Sequence, residues 1–340
     1  MAVDDNSGPE GAGLTLVGAS AAMLVAVTLL GQQDGLTGLT FNGALIGVTL
    51  GGGSALHGRP WLLSVVVALS AISAWLSRSL AAAFSRVDLP ALNVAFNVLV
   101  ALWTAVEASW IPPDREPPPA FPANASSVDW GLVATSVLMA PGPVYACSSV
   151  SSCCILYVAF LIFSPMLFLV SILGAAVGTL LGVALCPGTD LADLYAGLWG
   201  YCPLLTASAL GSIFYVFNTQ SVVLGLVGAA TASLAYGALS RSFQPMGLPV
   251  LAWPFVLATW MLVANPKNSL NLTPVPLSEL GTPEEVRARA LQRRSTLELQ
   301  AMQTLQPLQA APRLHTPVPL SRQGVPGVPG VPVSDPIFRH

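Results

Sequence analysis

Two stretches, DLPALNVAFN at residues 88–97 and GLPVLAWPFVLATW at residues 247–260, decide how this chain folds. Each places a Leu-Pro pair at the start of an apolar run, and the two prolines, Pro90 and Pro249, are 159 positions apart. Two more pairs recur in the same order, TFNGALIG with LWGYCPLLTASALG and LVGASAAM with ILGAAVGT. Three ordered pairs at a nearly constant offset predict an internal repeat. Such repeats place a substrate path at the interface between the halves.

The composition excludes a soluble protein. Of 340 residues, 54% are hydrophobic and only 9% are charged, whereas a soluble domain carries about 25% charged residues. The chain is therefore a polytopic membrane protein, not a cytosolic enzyme, a nucleic-acid-binding protein or a secreted disulfide scaffold. A net charge of −3 implies no polyanionic partner. The cysteines are expected to be packed thiols rather than a disulfide set: Cys147, Cys153, Cys154, Cys186 and Cys202.

Apolar runs predict the spanning helices, because a helix needs about 20 apolar residues to cross a bilayer. A weaker stretch at 131–147 contains Pro141, Gly142 and Pro143, which predicts an interrupted or re-entrant segment. The fold class is therefore all-α, with two inverted repeats of spanning helices and re-entrant pore segments. Nine runs have spanning length: 12–31, 38–56, 60–84, 89–110, 151–164, 165–186, 193–216, 218–240 and 247–264.

The same pattern divides the chain into five parts. They are a short N-terminal segment (1–11), a first transmembrane repeat (12–110), an exterior loop (111–130), a second transmembrane repeat (131–264) and a largely disordered tail (265–340). Within the tail, the sequence Thr282-Pro-Glu-Glu285 is a capping box that predicts one surface helix.

Charge sets the expected orientation in the membrane. Eight of the 13 Lys and Arg residues lie at or beyond Lys267, which predicts a cytoplasmic tail. Counting back along the runs then puts the 111–130 loop outside, where Asn124-Ala-Ser is an N-glycosylation acceptor. The acidic N-terminus is also expected outside, and it has no basic region that would precede a cleaved signal peptide.

These motifs resemble the urea transporter family, the facilitative urea channels. The resemblance is carried by residues 88–97 and 247–260, by DLYAGLWGY at 193–201 and by NPKNS at 265–269, and it covers roughly residues 12–290. It implies a plasma-membrane homotrimer in which each protomer holds a urea pore between two inverted halves. The implied partners are urea or a similar small neutral solute and the lipid bilayer, with no cofactor, metal or nucleic acid.

The resemblance also indicates which residues form the pore. Phe41 and Leu45, with their repeat mates Tyr201 and Leu205, match a hydrophobic slot, although ordinary lipid or helix contacts would explain them equally. The family has a pore threonine in each half; Asn93 stands at that position in the first half and Ala252 in the second. Asn93 can have either a structural or a functional role. The second pore segment contains Pro143, at a family glutamine, and Tyr145. A family glutamate aligns with Ala192.

The first half matches the family only from its second spanning helix, so the first repeat is expected to be incomplete, without its pore helix and first spanning helix. The favoured function is a urea-transporter-like channel with reduced activity. The alternative is a non-conducting membrane protein that keeps the fold for assembly or partner binding. An enzyme is not expected, because the three histidines, His57, His315 and His340, are scattered and no nucleophile or metal motif occurs.

Overall fold

The computed structural model describes residues 8–29, 31, 36–53, 61–108, 128–145, 147–186, 191–263 and 272–309. They form an all-α structure with one isolated antiparallel bridge, between Tyr215 and Pro274. The α-helices are α1 Gly8–Thr28, α2 Leu36–Gly53, α3 Leu62–Phe84, α4 Val94–Ala108, α5 Trp130–Met139, α6 Gly142–Tyr145, α7 Val150–Phe163, α8 Pro165–Leu185, α9 Leu191–Tyr195, α10 Tyr201–Ser208, α11 Thr219–Phe243, α12 Trp253–Val263 and α13 Pro283–Gln309.

The chain divides into two compact units, Met1–Gln292 and Arg293–His340. In the second unit, an exposed ion pair joins Arg294 Nε to Glu298 Oε1 at 3.1 Å, one helical turn apart. The predicted tail helix is confirmed, since α13 begins at Pro283. The Thr282 hydroxyl accepts a hydrogen bond from the Glu285 backbone N–H at 3.4 Å, as the capping box predicts.

Within the described part of the chain, the helices long and apolar enough to cross a membrane are fewer than the apolar runs. Among the described residues they are Leu62–Val87, Pro165–Leu185 and Thr219–Met246, or four spans if one bent pair is counted. Four other apolar helices are shorter, from 10 to 17 residues. Several of the nine runs extend into residues outside the described ranges, so the number of membrane crossings stays a prediction.

The region around 131–163 shows how such a run is broken. The helical stretches Trp130–Tyr145 and Val150–Phe163 are bent by 81° relative to each other. The predicted interruption near Pro141 is thus confirmed, while re-entry into the membrane from one side stays a prediction. Polar caps start the flanking helices: the Asp129 carboxylate accepts from the Gly131 and Leu132 N–H groups, and the Ser149 hydroxyl accepts from that of Ser152.

The internal repeat is visible in the backbone itself. After α3 and after α11, a short 3₁₀ turn ends at a left-handed residue, Asp88 (φ 54°) or Gly247 (φ 66°). Four residues later Leu92 and Leu251 both have φ 48°. A left-handed conformation costs a leucine about 1–2 kcal/mol, so its recurrence at the same offset of 159 positions shows one unusual backbone built twice.

The two repeated segments run antiparallel where they meet. The Asn97 side-chain oxygen accepts from the Ala252 backbone N–H at 3.0 Å, and the Trp260 indole N–H donates to the Pro90 carbonyl at 2.8 Å. Moving forward from Pro90 to Asn97 therefore means moving backward from Trp260 to Ala252. This is the arrangement expected of inverted repeats.

Close helix contact in the second half depends on glycines of α8. A Cβ added at Gly178 would lie 2.4 Å from the Pro203 Cγ and 2.6 Å from the Trp199 carbonyl oxygen. A Cβ at Gly174 would lie 2.4 Å from that of Ala207. Small residues thus let α8 and α10 approach each other as membrane helices commonly do. The five cysteines are all free thiols, as predicted.

Candidate functional site

Five segments contact one another in a closed ring. Helix α2 contacts α4, α4 contacts α12, α12 contacts α10, and the short helix α6 contacts both α10 and α2. The ring thus combines both repeats, since α2 and α10 are repeat mates, as are α4 and α12. Among the described residues of these helices the only charged side chain is Glu107, in the last turn of α4. So few charges suit a neutral solute, because an intramembrane charge would attract ions and cost desolvation.

Tyr201 and Ala252, two of the predicted pore residues, lie close together in this ring. The Tyr201 hydroxyl donates to the carbonyl oxygen of Leu251, the residue before Ala252. Both side chains belong to one buried cluster, with 7% exposure for Tyr201 and 6% for Ala252. The phenol is held by the backbone of the second-half motif, so its hydroxyl already has an acceptor within the protein.

The other three residues of the predicted hydrophobic slot have different surroundings. Leu45 is buried in a first-half cluster with Ile46 and Phe96, whereas Phe41 is more exposed, at 36%. Leu205 is half-buried and packs against the second-half core beside Leu204. The structure therefore places Leu45 and Leu205 in separate clusters of the two halves, and their role in a pore stays a prediction.

Asn93 lies just before α4, half-buried, and its backbone carbonyl accepts from the Asn97 N–H at 2.9 Å. Pro143 and Tyr145 lie in α6, where Pro143 is half-buried and Tyr145 is 38% exposed. Because α6 contacts both α2 and α10, the predicted second pore segment lies beside the helices that carry Phe41 and Tyr201. Asn124 lies outside the described residues.

Comparison with known proteins agrees with this geometry. The family model described as "Urea transporter" matches residues 6–266, about three quarters of the chain. This chain belongs to the urea transporter family.

Curated members of the urea transporter family are similar to it along most of their length. Urea transporter 1 of Capra hircus is 28% identical over 290 residues, which cover 81% of this chain and 73% of the relative. Urea transporter 1 of Ovis aries matches to the same extent, and that of Rattus norvegicus is 26% identical over 286 residues, covering 82% and 73%. The multi-pass, all-α architecture is thus that of a urea transporter family member.

Two buried polar residues of this family member were missed by sequence analysis. Asn97 is fully buried, and its side-chain oxygen binds the second-half motif, while its NH₂ group has no hydrogen-bond partner among the described residues. Thr259 of α12 is also fully buried, and within the described part of the chain its hydroxyl has no partner. The available signal was polarity, since Asn97 is an amide one helical turn after Asn93 in an apolar run. Buried polar groups of this kind are costly unless they serve a role.

Proposed function

We propose that this chain forms a channel through which urea, or a closely related small neutral solute, crosses the membrane passively. The observation that carries the proposal is the closed ring of α2, α4, α12, α10 and α6, which is drawn from both halves and is nearly free of charge. Membership of the urea transporter family supports urea as the solute. The function is therefore transport rather than catalysis, with the path through the middle of the ring.

The rate of urea movement is proposed to be lower than that of relatives with both pore threonines. A urea molecule stripped of water at a narrow point needs hydrogen-bond acceptors. Ala252 offers no side-chain oxygen, and Ala192 and Pro143 replace two more polar side chains of the family. If two contacts of about 1.4 kcal/mol each stay unreplaced, the barrier rises enough to slow the flux about a hundredfold. Asn93 keeps a carbonyl oxygen at the first threonine position.

The test is stopped-flow urea flux in proteoliposomes of the purified chain. The comparison samples are empty liposomes and proteoliposomes of Capra hircus urea transporter 1 at equal protein density. Flux above that of empty liposomes and well below that of the relative is expected. A rate equal to the relative's would overturn the reduced-rate part of the proposal, and a rate equal to that of empty liposomes would overturn conduction.

The second candidate is a non-conducting membrane protein that keeps the fold for assembly or partner binding. It is favoured by the same substitutions, Asn93 and Ala252, and by the exposed surface of α13. It predicts no urea flux from a protein that is folded and assembled, so it requires the flux assay together with a measurement of folding on the same sample.

The assembly is proposed to be a homotrimer in the plasma membrane, as the family resemblance implies. Chemical cross-linking of intact cells that express the chain, followed by denaturing electrophoresis, should give a ladder that ends at three protomers. A ladder ending at two, or a protein found only in intracellular membranes, would contradict this part.

A further inference from the structure

The peptide group between Leu251 and Ala252 is held from both sides by side chains. Its carbonyl oxygen accepts from the Tyr201 hydroxyl and, at 3.8 Å, from the Cys202 thiol. Its N–H donates to the Asn97 side-chain oxygen at 3.0 Å. All three side chains are buried: Asn97 and Cys202 are 0% exposed and Tyr201 is 7% exposed. One peptide group is thus hydrogen-bonded by side chains of α10 in its own half and of α4 in the other half.

The backbone around this peptide is not helical, so its N–H and C=O groups are not paired by a regular helical hydrogen-bond pattern. Leu251 has φ 48°, a strained conformation for a branched side chain, and α12 begins only at Trp253. Backbone polar groups outside a helix need partners within the protein when no water reaches them. The Asn97 and Tyr201 side chains supply those partners, and they also fix the direction in which the peptide points.

The first half has the same backbone but different side chains at the corresponding positions. Leu92 has the same φ of 48° as Leu251. At an offset of 159 positions the equivalent of Asn97 is Val256, and the repeat mate of Tyr201, at an offset of 160, is Phe41. Neither valine nor phenylalanine can make the bonds that hold Leu251–Ala252. Side-chain hydrogen bonds to both ends of this peptide are therefore a feature of the second-half motif and not a requirement of the repeated fold.

We propose that Asn97 is a positioning residue for solute passage. It acts from the first half to hold the Leu251–Ala252 peptide of the second half, and so fixes the width of the path beside Ala252. The proposal deepens the proposed function and rests on it. Because Ala252 has no hydroxyl with which to contact the solute, the placement of its backbone is what remains to shape the path at this point.

The orientation of the Asn97 amide supports this role. The Ala252 N–H can only donate, so the side-chain oxygen of Asn97 must face it. The NH₂ group is then left buried with no partner among the described residues, which costs the desolvation of that group. A leucine, with the same number of side-chain heavy atoms, would avoid this cost. Packing alone therefore does not explain an asparagine here, whereas the bond to Ala252 does.

The test compares four single variants of the full chain in proteoliposomes. Asn97→Leu removes the acceptor and keeps the number of side-chain heavy atoms, Asn97→Asp keeps an oxygen at the same place, and Tyr201→Phe removes the hydroxyl on the other side of the peptide. Thr104→Val is the matched control, because Thr104 lies on the same helix and its hydroxyl donates to the Val100 carbonyl at 2.8 Å. Each variant is measured for urea flux and for amide hydrogen exchange over residues 250–256.

Asn97→Leu should lower urea flux about tenfold, the effect of roughly 1.4 kcal/mol on a barrier, and should speed exchange at the Ala252 amide. Asn97→Asp should stay within about twofold of the unmodified flux, and Thr104→Val should change neither measurement. Tyr201→Phe should have a smaller effect, because the Cys202 thiol still donates. Combined with Asn97→Leu, it should add less than its separate effect, since both act on one peptide.

Unchanged flux and exchange in Asn97→Leu would overturn the proposal. So would an Asn97→Asp variant as impaired as Asn97→Leu, because the oxygen would then not be the group that matters. If the unmodified chain conducts no urea, the proposed function fails, and the exchange measurement decides by itself whether Asn97 holds the peptide. Slow Ala252 exchange that Asn97→Leu accelerates and Asn97→Asp preserves would then support the hydrogen bond that holds the peptide, and would overturn its role in solute passage.

Discussion

Ala252 is the residue at which a single substitution should change conduction most directly. Its side chain is a methyl group in the buried second-half cluster, and its N–H is already bound to Asn97. Ala252→Thr adds a hydroxyl and a methyl group and keeps the backbone N–H that binds Asn97. We expect urea flux to rise up to about tenfold, because one recovered contact of about 1.4 kcal/mol lowers the barrier by that factor. Stopped-flow flux of the reconstituted variant measures it.

The control for this change is Ala83→Thr, which adds the same hydroxyl at an exposed position near the end of α3. It should leave the flux unchanged. A folded Ala252→Thr protein whose flux is unaltered would show that this position does not contact the solute.

At the residue scale the sequence was only partly informative. Tyr201 and Ala252 were predicted as pore residues, and they lie together. Asn97 was missed because its partner, Ala252, is 155 positions away, and no local pattern reveals such a pair. The sequence did not show which way the side chains of Phe41 and Leu45 face. Helix α2 is apolar on nearly all sides and so has no polar face that would mark its solvent-facing side.

Among the helices, the contact between α8 and α10 should be sensitive to added volume. Gly178→Ala places a Cβ within 2.6 Å of both the Pro203 side chain and the Trp199 carbonyl. Overpacking of this kind costs about 1–3 kcal/mol, so the thermal unfolding midpoint of the purified protein should fall. Gly13→Ala is the control, since its added Cβ meets no atom of the described residues within 4 Å, and it should leave the midpoint unchanged or slightly higher. Equal midpoints for the two variants would argue against tight packing at Gly178.

The start of α13 is attached to the start of α8 by one carboxylate. Glu284 Oε1 accepts from the Ser164 hydroxyl at 2.9 Å and from the Met166 N–H at 3.0 Å. Burial raises the pKa of Glu284, but these hydrogen bonds and its own N–H outweigh that effect and leave the pKa below the ordinary value of 4.5. Nearby, the Arg287 guanidinium lies 5.9 Å from the centre of the Phe217 ring.

This attachment gives a pH dependence with a definite sign. A carboxyl with a lowered folded-state pKa contributes its stability above its unfolded pKa and loses it as the pH falls through the folded one. Docking of residues 272–286 should therefore be intact at pH 7 and weaken below the usual glutamate range. Glu284→Gln should speed amide exchange in this segment at pH 7, whereas Glu285→Gln, on an exposed neighbour, should not. Equal exchange in both variants would contradict the attachment.

Helices that begin with strong caps were the easiest to predict from sequence, and α13 after Thr282 is an example. The lengths of the helices in the two repeated motifs were harder to predict. The runs 89–110 and 247–264 look continuous in hydropathy, yet α4 begins at Val94 and α12 at Trp253, after the left-handed leucines. Hydropathy records whether a residue is apolar and not which backbone angles it adopts, so broken helices are counted as whole ones.

For the whole molecule, the orientation in the membrane stays a prediction that glycosylation can test. The basic residues of the tail predict a cytoplasmic C-terminus and an exterior 111–130 loop. Asn124→Gln should therefore remove a glycosidase-sensitive shift in electrophoretic mobility. Asn271→Gln, at the second acceptor Asn271-Leu-Thr on the tail side, should leave it in place. A shift lost with Asn271 rather than Asn124, or tail cleavage by protease added to intact cells, would reverse the topology.

The two hydrogen bonds between the halves also limit how the molecule can move. Ala252 and Trp260 are eight residues apart, about 12 Å along a helix axis, and each is tied to the opposite half. If one half tilted against the other by about ten degrees, one of these two residues would shift by about 2 Å relative to its partner over this distance of about 12 Å. Such a shift is enough to break a hydrogen bond. A transporter that rocks its two halves against each other would have to break and re-form such a hydrogen bond in every transport cycle. Solute is therefore expected to pass through a stationary frame, at a rate set by its own diffusion and not by the turnover of the protein.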